Sequence, residues 1–294
     1  MTSDSGNHIV YVTRSSHTLA LDAATGSVLA DIVGQERSHG VAVVPASGHG
    51  FISDGKDGTV VVFDLKTYKV LGKIKAADDA DGIIYDKATN KVLVACGDSG
   101  VLITVSGDAD PVSGAADPAI DLGGKPEFLA ADGHGMAFVN LVDKGLVVAV
   151  DLKSSKVIAR WPVAPGGSPV GMAIDPERHR LFVGCRNPNM MIVMNADNGM
   201  VLASLPIGAG VDATAFDGRA FASTGDGHLT VIDETSPGKF EVEQTVETAR
   251  GARTMCVDQR THRLYLPTAE FEPSAGGGRP AAKPDTFKVL VVSR

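Results

Sequence analysis

The chain has 294 residues, of which 44% are hydrophobic and 21% are charged, a composition typical of a globular protein rather than a disordered one. Its 34 glycines and 15 prolines, with only 5% aromatic residues, indicate many tight turns between short elements. A net charge of −8 disfavours a nonspecific binder of nucleic-acid backbones, because such proteins usually carry a basic field.

Strands of a first type recur at a nearly constant interval. They begin at residues 39 (HGVAVV), 81 (DGIIYD), 127 (EFLAAD), 170 (VGMAID), 212 (DATAFD) and 253 (RTMCVD), which lie 42, 46, 43, 42 and 41 residues apart. Each is followed by a second apolar strand, as in HIVYVTR (8–14), NKVLVAC (90–96), GMAFVN (135–140), HRLFVGC (179–185) and HRLYLPT (262–268). A self-similar unit of this length is typical of repeat architectures.

Two further strands complete most repeats. The third ends in Asp or Asn before a turn, as in LALDAATG, VVFDLKT, VAVDLKS and IVMNADNG, where Asx side chains bond their own backbone. The fourth follows in SVLADI, KVLGKI, KVIARW and MVLASL, whereas the last repeat stops at its third strand, FKVLVVSR. Four strands in a period of about 42 residues indicate a propeller blade.

The second strands, at residues 8, 49, 91, 135, 180, 219 and 263, predict an all-β, seven-bladed β-propeller. Its four-stranded antiparallel blades would surround a central channel. We expect one domain, 1–294, with blades starting near residues 1, 39, 81, 127, 170, 212 and 253. The first blade lacks most of its inner strand, so we expect residues upstream of Met1 in the natural protein.

Other features exclude some classes of protein. No run of about 18 apolar residues predicts a membrane-spanning helix, and the first residues lack the features of a signal peptide. Cys96, Cys185 and Cys256 have no CxxC spacing, so neither a zinc ribbon nor a disulfide framework is indicated.

The repeats resemble those of a known family. YVTR at 11–14, the VxDxxTG-like turns and the 42-residue period resemble the YVTN-repeat β-propellers, which include the YncE-like bacterial periplasmic proteins. The resemblance covers essentially the whole chain and implies a periplasmic or secreted protein, although the sequence contains no signal peptide. It says little about function, because propellers host binders, scaffolds and enzymes alike.

Polar residues mark the start of the first strands. In a propeller blade the inner strand begins at the face where the second strand ends, so these positions meet at one mouth of the channel. His39, Asp81 and Glu127 offer an imidazole and two carboxylates, a ligand set suited to a divalent cation such as Zn²⁺, Mn²⁺ or Fe²⁺. Asp212 or Asn140 would complete the set, or a water molecule would leave a position open.

Further mouth residues are candidate ligand-binding groups: Asn140, Cys185, Arg186, Arg253 and Glu270. The alternative is a structural mouth holding water and ion pairs, for instance between Asp212 and Arg253. We therefore expect an exported, non-catalytic propeller that binds a small molecule, a metal ion or a protein at a polar channel mouth. A metal-dependent hydrolase or lactonase is the alternative, and the sequence does not decide whether the protein is an enzyme. Single-stranded nucleic acid ranks third as a ligand, and a monomer is expected.

Overall fold

The computed structural model describes residues 1–272 and 281–293, and these form strands β1 to β25. Strands such as β5 (Thr59–Asp64) and β13 (Leu146–Asp151) are runs of branched apolar residues that are buried on both faces. Fourth strands such as β14 (Lys156–Pro162) alternate between exposed and half-buried residues. Runs buried on both faces fit sheets that pack face to face, while alternation fits a partly solvated edge. The described residues contain no helix long and apolar enough to cross a membrane.

The described strands form six antiparallel sheets. The first contains β1 (Thr2–Asp4), β2 (Ile9–Asp22), β3 (Val28–Val44), β4 (His49–Asp54), β5 and β6 (Val70–Lys75). The second contains β7 (Ala80–Asp86), β8 (Lys91–Cys96), β9 (Val101–Ser106) and β10 (Ile120–Asp121), and the third contains β11 (Pro126–Ala131), β12 (Met136–Leu141), β13 and β14. The fourth contains β15 (Pro169–Asp175), β16 (Arg180–Arg186), β17 (Asn189–Asn195) and β18 (Val201–Pro206). The fifth contains β19 (Val211–Phe216), β20 (Ala220–Thr224), β21 (His228–Ser236) and β22 (Lys239–Glu247), and the sixth contains β23 (Cys256–Asp258), β24 (Arg263–Thr268) and β25 (Lys288–Val292).

The sheets are arranged as a ring. Strand β3 lies beside β7, and β7, β11, β15, β19 and β23 follow one another, while β23 also contacts β1. Hydrophobic clusters fill the spaces between neighbouring sheets, as between the second and third sheets around Leu93, Leu129 and Val139. The prediction of an all-β propeller is therefore confirmed.

The prediction of seven four-stranded blades is wrong, because the described strands form six sheets of three to six strands. The difference arises at β3, a 17-residue strand that pairs with β2 through its first half and with β4 through its second half. The two repeats predicted there consequently form one six-stranded sheet. Residues 33–38, which connect the two halves of β3, stay extended because Gln35 is buried against Thr18 and Ser15 pairs with Ser38.

Asp and Asn side chains organise the turns after the third strands, as predicted. The Asp22 carboxylate accepts hydrogen bonds from the Ala24 and Thr25 amides and from the Thr25 hydroxyl. Asp64 does the same for Lys66 and Thr67. These carboxylates therefore have a structural role.

Candidate functional site

Most of the predicted mouth residues lie near the starts of the first strands. The second residues of β7, β11 and β19 are Asp81, Glu127 and Asp212, in that order. His39 lies within β3, and Arg253 precedes β23 by three residues. Asp81, Glu127 and Asp212 therefore lie at strand starts as predicted, whereas the prediction that a strand begins at His39 is wrong because β3 begins at Val28.

A repeated hydrogen bond holds several of these positions. A polar side chain near the end of one second strand donates to the backbone carbonyl of a mouth residue in the following repeat. The pairs are Thr13 with His39 (2.8 Å), Ser53 with Asp81 (2.5 Å), Asn140 with Val170 (2.9 Å), and Ser223 with Arg253. Sequence reasoning missed these donors, although Thr, Ser or Asn recurs as the third residue of YVTR, FISD, FVNL and FAST.

Glycines let the first strands approach each other closely. A Cβ atom on Gly82 would lie 2.5 Å from the carbonyl oxygen of Glu127, and one on Gly40 would lie 2.6 Å from the Ile83 side chain. Such distances are too short for a larger residue unless the neighbouring backbone or side chain moves. The glycines therefore allow the mouth residues of adjacent sheets to face one channel.

One sector of the mouth contains two arginines around a single carboxylate. The Arg186 guanidinium donates to Asp212 Oδ1 at 2.8 Å and to the Val211 carbonyl at 2.7 Å. Thr254 Oγ1 donates to the other carboxylate oxygen of Asp212 at 2.8 Å, and Arg253 Nε lies 3.8 Å from Oδ1. Asp212 is thus held by two cations and a hydroxyl, which leaves its carboxylate little freedom to bind a metal ion.

A second sector of the mouth contains His39 and Asp81. His39 Nδ1 lies 3.2 Å from Asp81 Oδ1. Burial lowers the pKa of His39, but the hydrogen bond and the charge of Asp81 outweigh it, so that the pKa is raised overall. This pairing favours the protonated, cationic imidazole, whereas a metal ligand must be neutral.

Besides the buried Nε2 atom of His39, Glu127 is a polar group of the mouth that lacks a direct partner in the described part of the chain. It is half-buried, and among the described residues it forms neither a hydrogen bond nor an ion pair. Burial raises its pKa, and the charge of Asp81 raises it further. The nearby Lys125 does not neutralise it, because the Lys125 ammonium contacts Asp98 at 3.0 Å.

The structure does not bring the four predicted metal ligands into one coordination group. Within residues 1–272 and 281–293, no set of three His, Cys, Asp or Glu side chains is arranged to hold a metal ion. His39 and Asp81 form one pair, and Asp212 belongs to the arginine cluster. Glu127 lies within electrostatic range of both groups but contacts neither.

The five predicted ligand-binding residues have different environments. Asn140 and Cys185 are completely buried, and the Asn140 amide is used by the Val170 and Gly171 carbonyls. Arg186 and Arg253 remain partly exposed at the mouth. Glu270 is largely exposed and pairs with Lys283 at 3.3 Å. Only the two arginines therefore combine an accessible position with a place at the channel mouth.

The ring of antiparallel sheets and its channel mouth define the class of protein: a β-propeller. A chain of the Kuenenia stuttgartiensis hydrazine synthase superposes with a TM-score of 0.81 over 100% of this chain and 94% of that chain, at 13% identity. A chain in the crystal structure of a mitotic checkpoint complex superposes with a TM-score of 0.80 over 100% of this chain and 89% of that one, also at 13% identity. At this identity the likeness shows the fold alone. No family model and no curated protein matches the sequence.

Proposed function

We propose that the protein is a non-catalytic β-propeller that binds a cationic group at its channel mouth, either on a small molecule or on a protein partner. The observation that carries this proposal is Glu127, a half-buried carboxylate without a hydrogen-bonding or charged partner among the described residues. A buried charge is costly unless it is paired. A ligand ammonium or guanidinium group would supply the missing partner.

The arrangement of charge specifies the ligand further. Glu127 and Asp81 contribute negative charge, while Arg186 and Arg253 surround Asp212, and the charge of Arg186 acts on Glu127 to lower its pKa. A ligand with a cationic group and a nearby anionic or carbonyl group would complement both sectors. Arginine derivatives and basic peptides have this chemistry.

The geometry favours binding over the hydrolase alternative. A metal-dependent hydrolase needs several protein ligands around one ion and a position for the substrate. The described residues contain no group of three His, Cys, Asp or Glu side chains that could hold an ion, and the Asp212 carboxylate is occupied by Arg186, Arg253 and Thr254.

Membership of the YVTN-repeat, YncE-like family and export to the periplasm are also proposals. They rest on the repeat motifs of the sequence and on the propeller fold. Fractionation of native cells tests the location: we expect the protein in the periplasmic or secreted fraction, and recovery in the cytoplasmic fraction contradicts export.

Calorimetric titration tests the binding proposal. The probes are agmatine, putrescine, L-arginine and a trilysine peptide, each titrated into the wild type, Glu127→Gln and the exposed control Glu177→Gln. We expect at least one probe to bind, with affinity at least tenfold weaker in Glu127→Gln and unchanged in the control. Absence of binding by all four probes, or equal binding by both variants, contradicts the proposal.

A further inference from the structure

Lys125 is the cationic side chain closest to Glu127 in the sequence, and in the structure it contacts a different acid. Its ammonium group lies 3.0 Å from Asp98 Oδ1. The hydrogen bond with Asp98 raises the pKa of Lys125, and the more distant charge of Glu127 raises it further. The charge of Lys125 in turn acts on Glu127, where it opposes the rise in pKa that burial causes. Lys125 is therefore within electrostatic range of the carboxylate that a cationic ligand would use.

The Asp98 carboxylate belongs to a turn whose backbone is fixed by hydrogen bonds. This turn joins β8 to β9. The Gly97 amide donates to the Asp79 carbonyl at 2.9 Å, and Ser99 Oγ donates to the Asp78 carbonyl at 3.2 Å. The backbone of Asp98 is therefore held in place beside the start of β7.

Lys125 is also positioned by more than its charge. Its backbone amide donates to Asp143 Oδ1 at 2.7 Å. Its Cε atom lies 3.5 Å from the position that a Cβ atom on Gly97 would occupy, so the aliphatic part of the side chain lies beside the turn that carries Asp98. Backbone position, packing and charge therefore all direct the ammonium group to Asp98.

The contact between Lys125 and Asp98 is exposed and can be broken by a single substitution. The exposed fractions of the two side chains are 45% and 64%, and ion pairs of this kind are weak. Loss of the Asp98 charge would therefore release the ammonium group. Of the other acids that act on Lys125, Asp79 already pairs with Arg37, whereas Glu127 has no direct partner among the described residues. The released ammonium group would therefore pair with Glu127.

We propose that Asp98 is a positioning residue of the mouth: it holds the Lys125 ammonium group away from Glu127 and so keeps the Glu127 carboxylate open to a ligand. This inference rests on the proposed function, because Asp98 has this role only if Glu127 binds a cationic group. It extends the site to a residue that does not contact Glu127. If Asp98 only stabilised its own turn, its replacement would leave the ionisation of Glu127 unchanged.

The pKa of Glu127, measured without ligand, tests the positioning directly. Side-chain ¹³C NMR would follow it in the wild type, Asp98→Asn, Lys125→Gln and the double variant, with the signal assigned by its absence from Glu127→Gln. We expect a lower pKa of Glu127 in Asp98→Asn than in the wild type, because the released ammonium group favours the carboxylate. In the Lys125→Gln background the same substitution should change this pKa little, and Asp98→Glu should retain the wild-type value. An unchanged pKa in Asp98→Asn, or an equal fall with and without Lys125, overturns the proposal.

Calorimetric titration tests the consequence for binding, with whichever of agmatine, putrescine, L-arginine and trilysine binds the wild type most tightly. Affinity should be about threefold weaker in Asp98→Asn, a factor within the range of exposed ion pairs, and Asp98→Asn should have little effect in the Lys125→Gln background. The matched control Glu241→Gln removes a carboxylate from the exposed pair that it forms with Lys239 on β22, 2.7 Å apart, and should bind like the wild type.

The two proposals fail in different ways. Equal affinity in the wild type and Asp98→Asn overturns the role of Asp98 alone, since binding at Glu127 is then intact. Binding of no probe by the wild type overturns the proposed function, and the role of Asp98 in ligand binding with it, even where the pKa of Glu127 responds to Asp98→Asn.

Discussion

Replacement of Asn140 by Ala tests the repeated hydrogen bond that connects neighbouring sheets. Asn140 is completely buried in β12, and its side-chain amide donates to the carbonyl oxygens of Val170 at 2.9 Å and Gly171 at 3.0 Å. The alanine variant leaves both carbonyls without this donor. The Oδ1 atom of Asn140 has no hydrogen-bonding partner in the wild type, so its removal offsets a small part of the lost stability.

Each buried polar group left unpaired costs about 1–3 kcal/mol. Two carbonyls, less the gain from removing the unpaired Oδ1, give a loss of about 3 kcal/mol in the free energy of unfolding. The melting temperature should fall by about 6–12 °C, using the sensitivity of proteins of roughly this size. Asn189→Ala, at an exposed position of β17, is the matched control and should change stability by less than about 0.5 kcal/mol.

Urea unfolding followed by circular dichroism measures both variants, and Asn140→Asp adds a second test. At pH 7 the buried carboxylate of Asn140→Asp cannot donate to either carbonyl, whereas its protonated form at pH 4 can donate to one. The stability deficit of Asn140→Asp relative to the wild type should therefore shrink at pH 4. A loss below about 1 kcal/mol for Asn140→Ala would refute the reasoning, because it would mean that other groups or water satisfy the carbonyls.

Two further predictions concern buried ionisable groups. The pKa of Glu127 is raised in the folded protein, so its protonated form stabilises the fold below the unfolded pKa, and this contribution is lost as pH rises through the folded pKa. Glu127→Gln should therefore have a higher melting temperature than the wild type at pH 8 and a similar one at pH 4. The reverse order in thermal melts would contradict the raised pKa. Burial raises the pKa of Cys96 to about 11 and those of Cys185 and Cys256 to about 12. A reagent that labels thiols by disulfide exchange should therefore, at pH 8, label no cysteine in the native protein and all three after denaturation. Rapid labelling of the native protein would contradict this prediction, because it would show that a thiol is accessible.

The strand pattern predicted the propeller because hydrophobic periodicity and turn residues are local signals. The fused first sheet had no such signal. Residues 33–38, VGQERS, are mostly polar, yet they stay extended because the Asp54 carboxylate accepts hydrogen bonds from the backbone amides of Glu36 and Arg37. That contact crosses about half a repeat and depends on the folded arrangement.

The strand positions of several site residues could be predicted from the sequence, but their contacts could not. Successive side chains on a strand point to opposite faces, so a difference of one residue decides between the core and the mouth. Cys185 is completely buried, while the next residue, Arg186, reaches Asp212. The sequence also could not show that Glu127 would remain without a partner, since that depends on which acid Lys125 contacts.

The closure of the ring has a consequence for how the protein comes apart. Successive sheets are joined by the continuous chain, and β3 physically joins two repeats, but β1 and β23 belong to different sheets and meet mainly through side chains. A hydrogen bond from Tyr265 Oη to the Ala23 carbonyl at 2.9 Å spans this junction. A pulling force applied between residues 1 and 293 loads this junction, and the ring of sheets should open there into a curved array before any individual sheet unfolds.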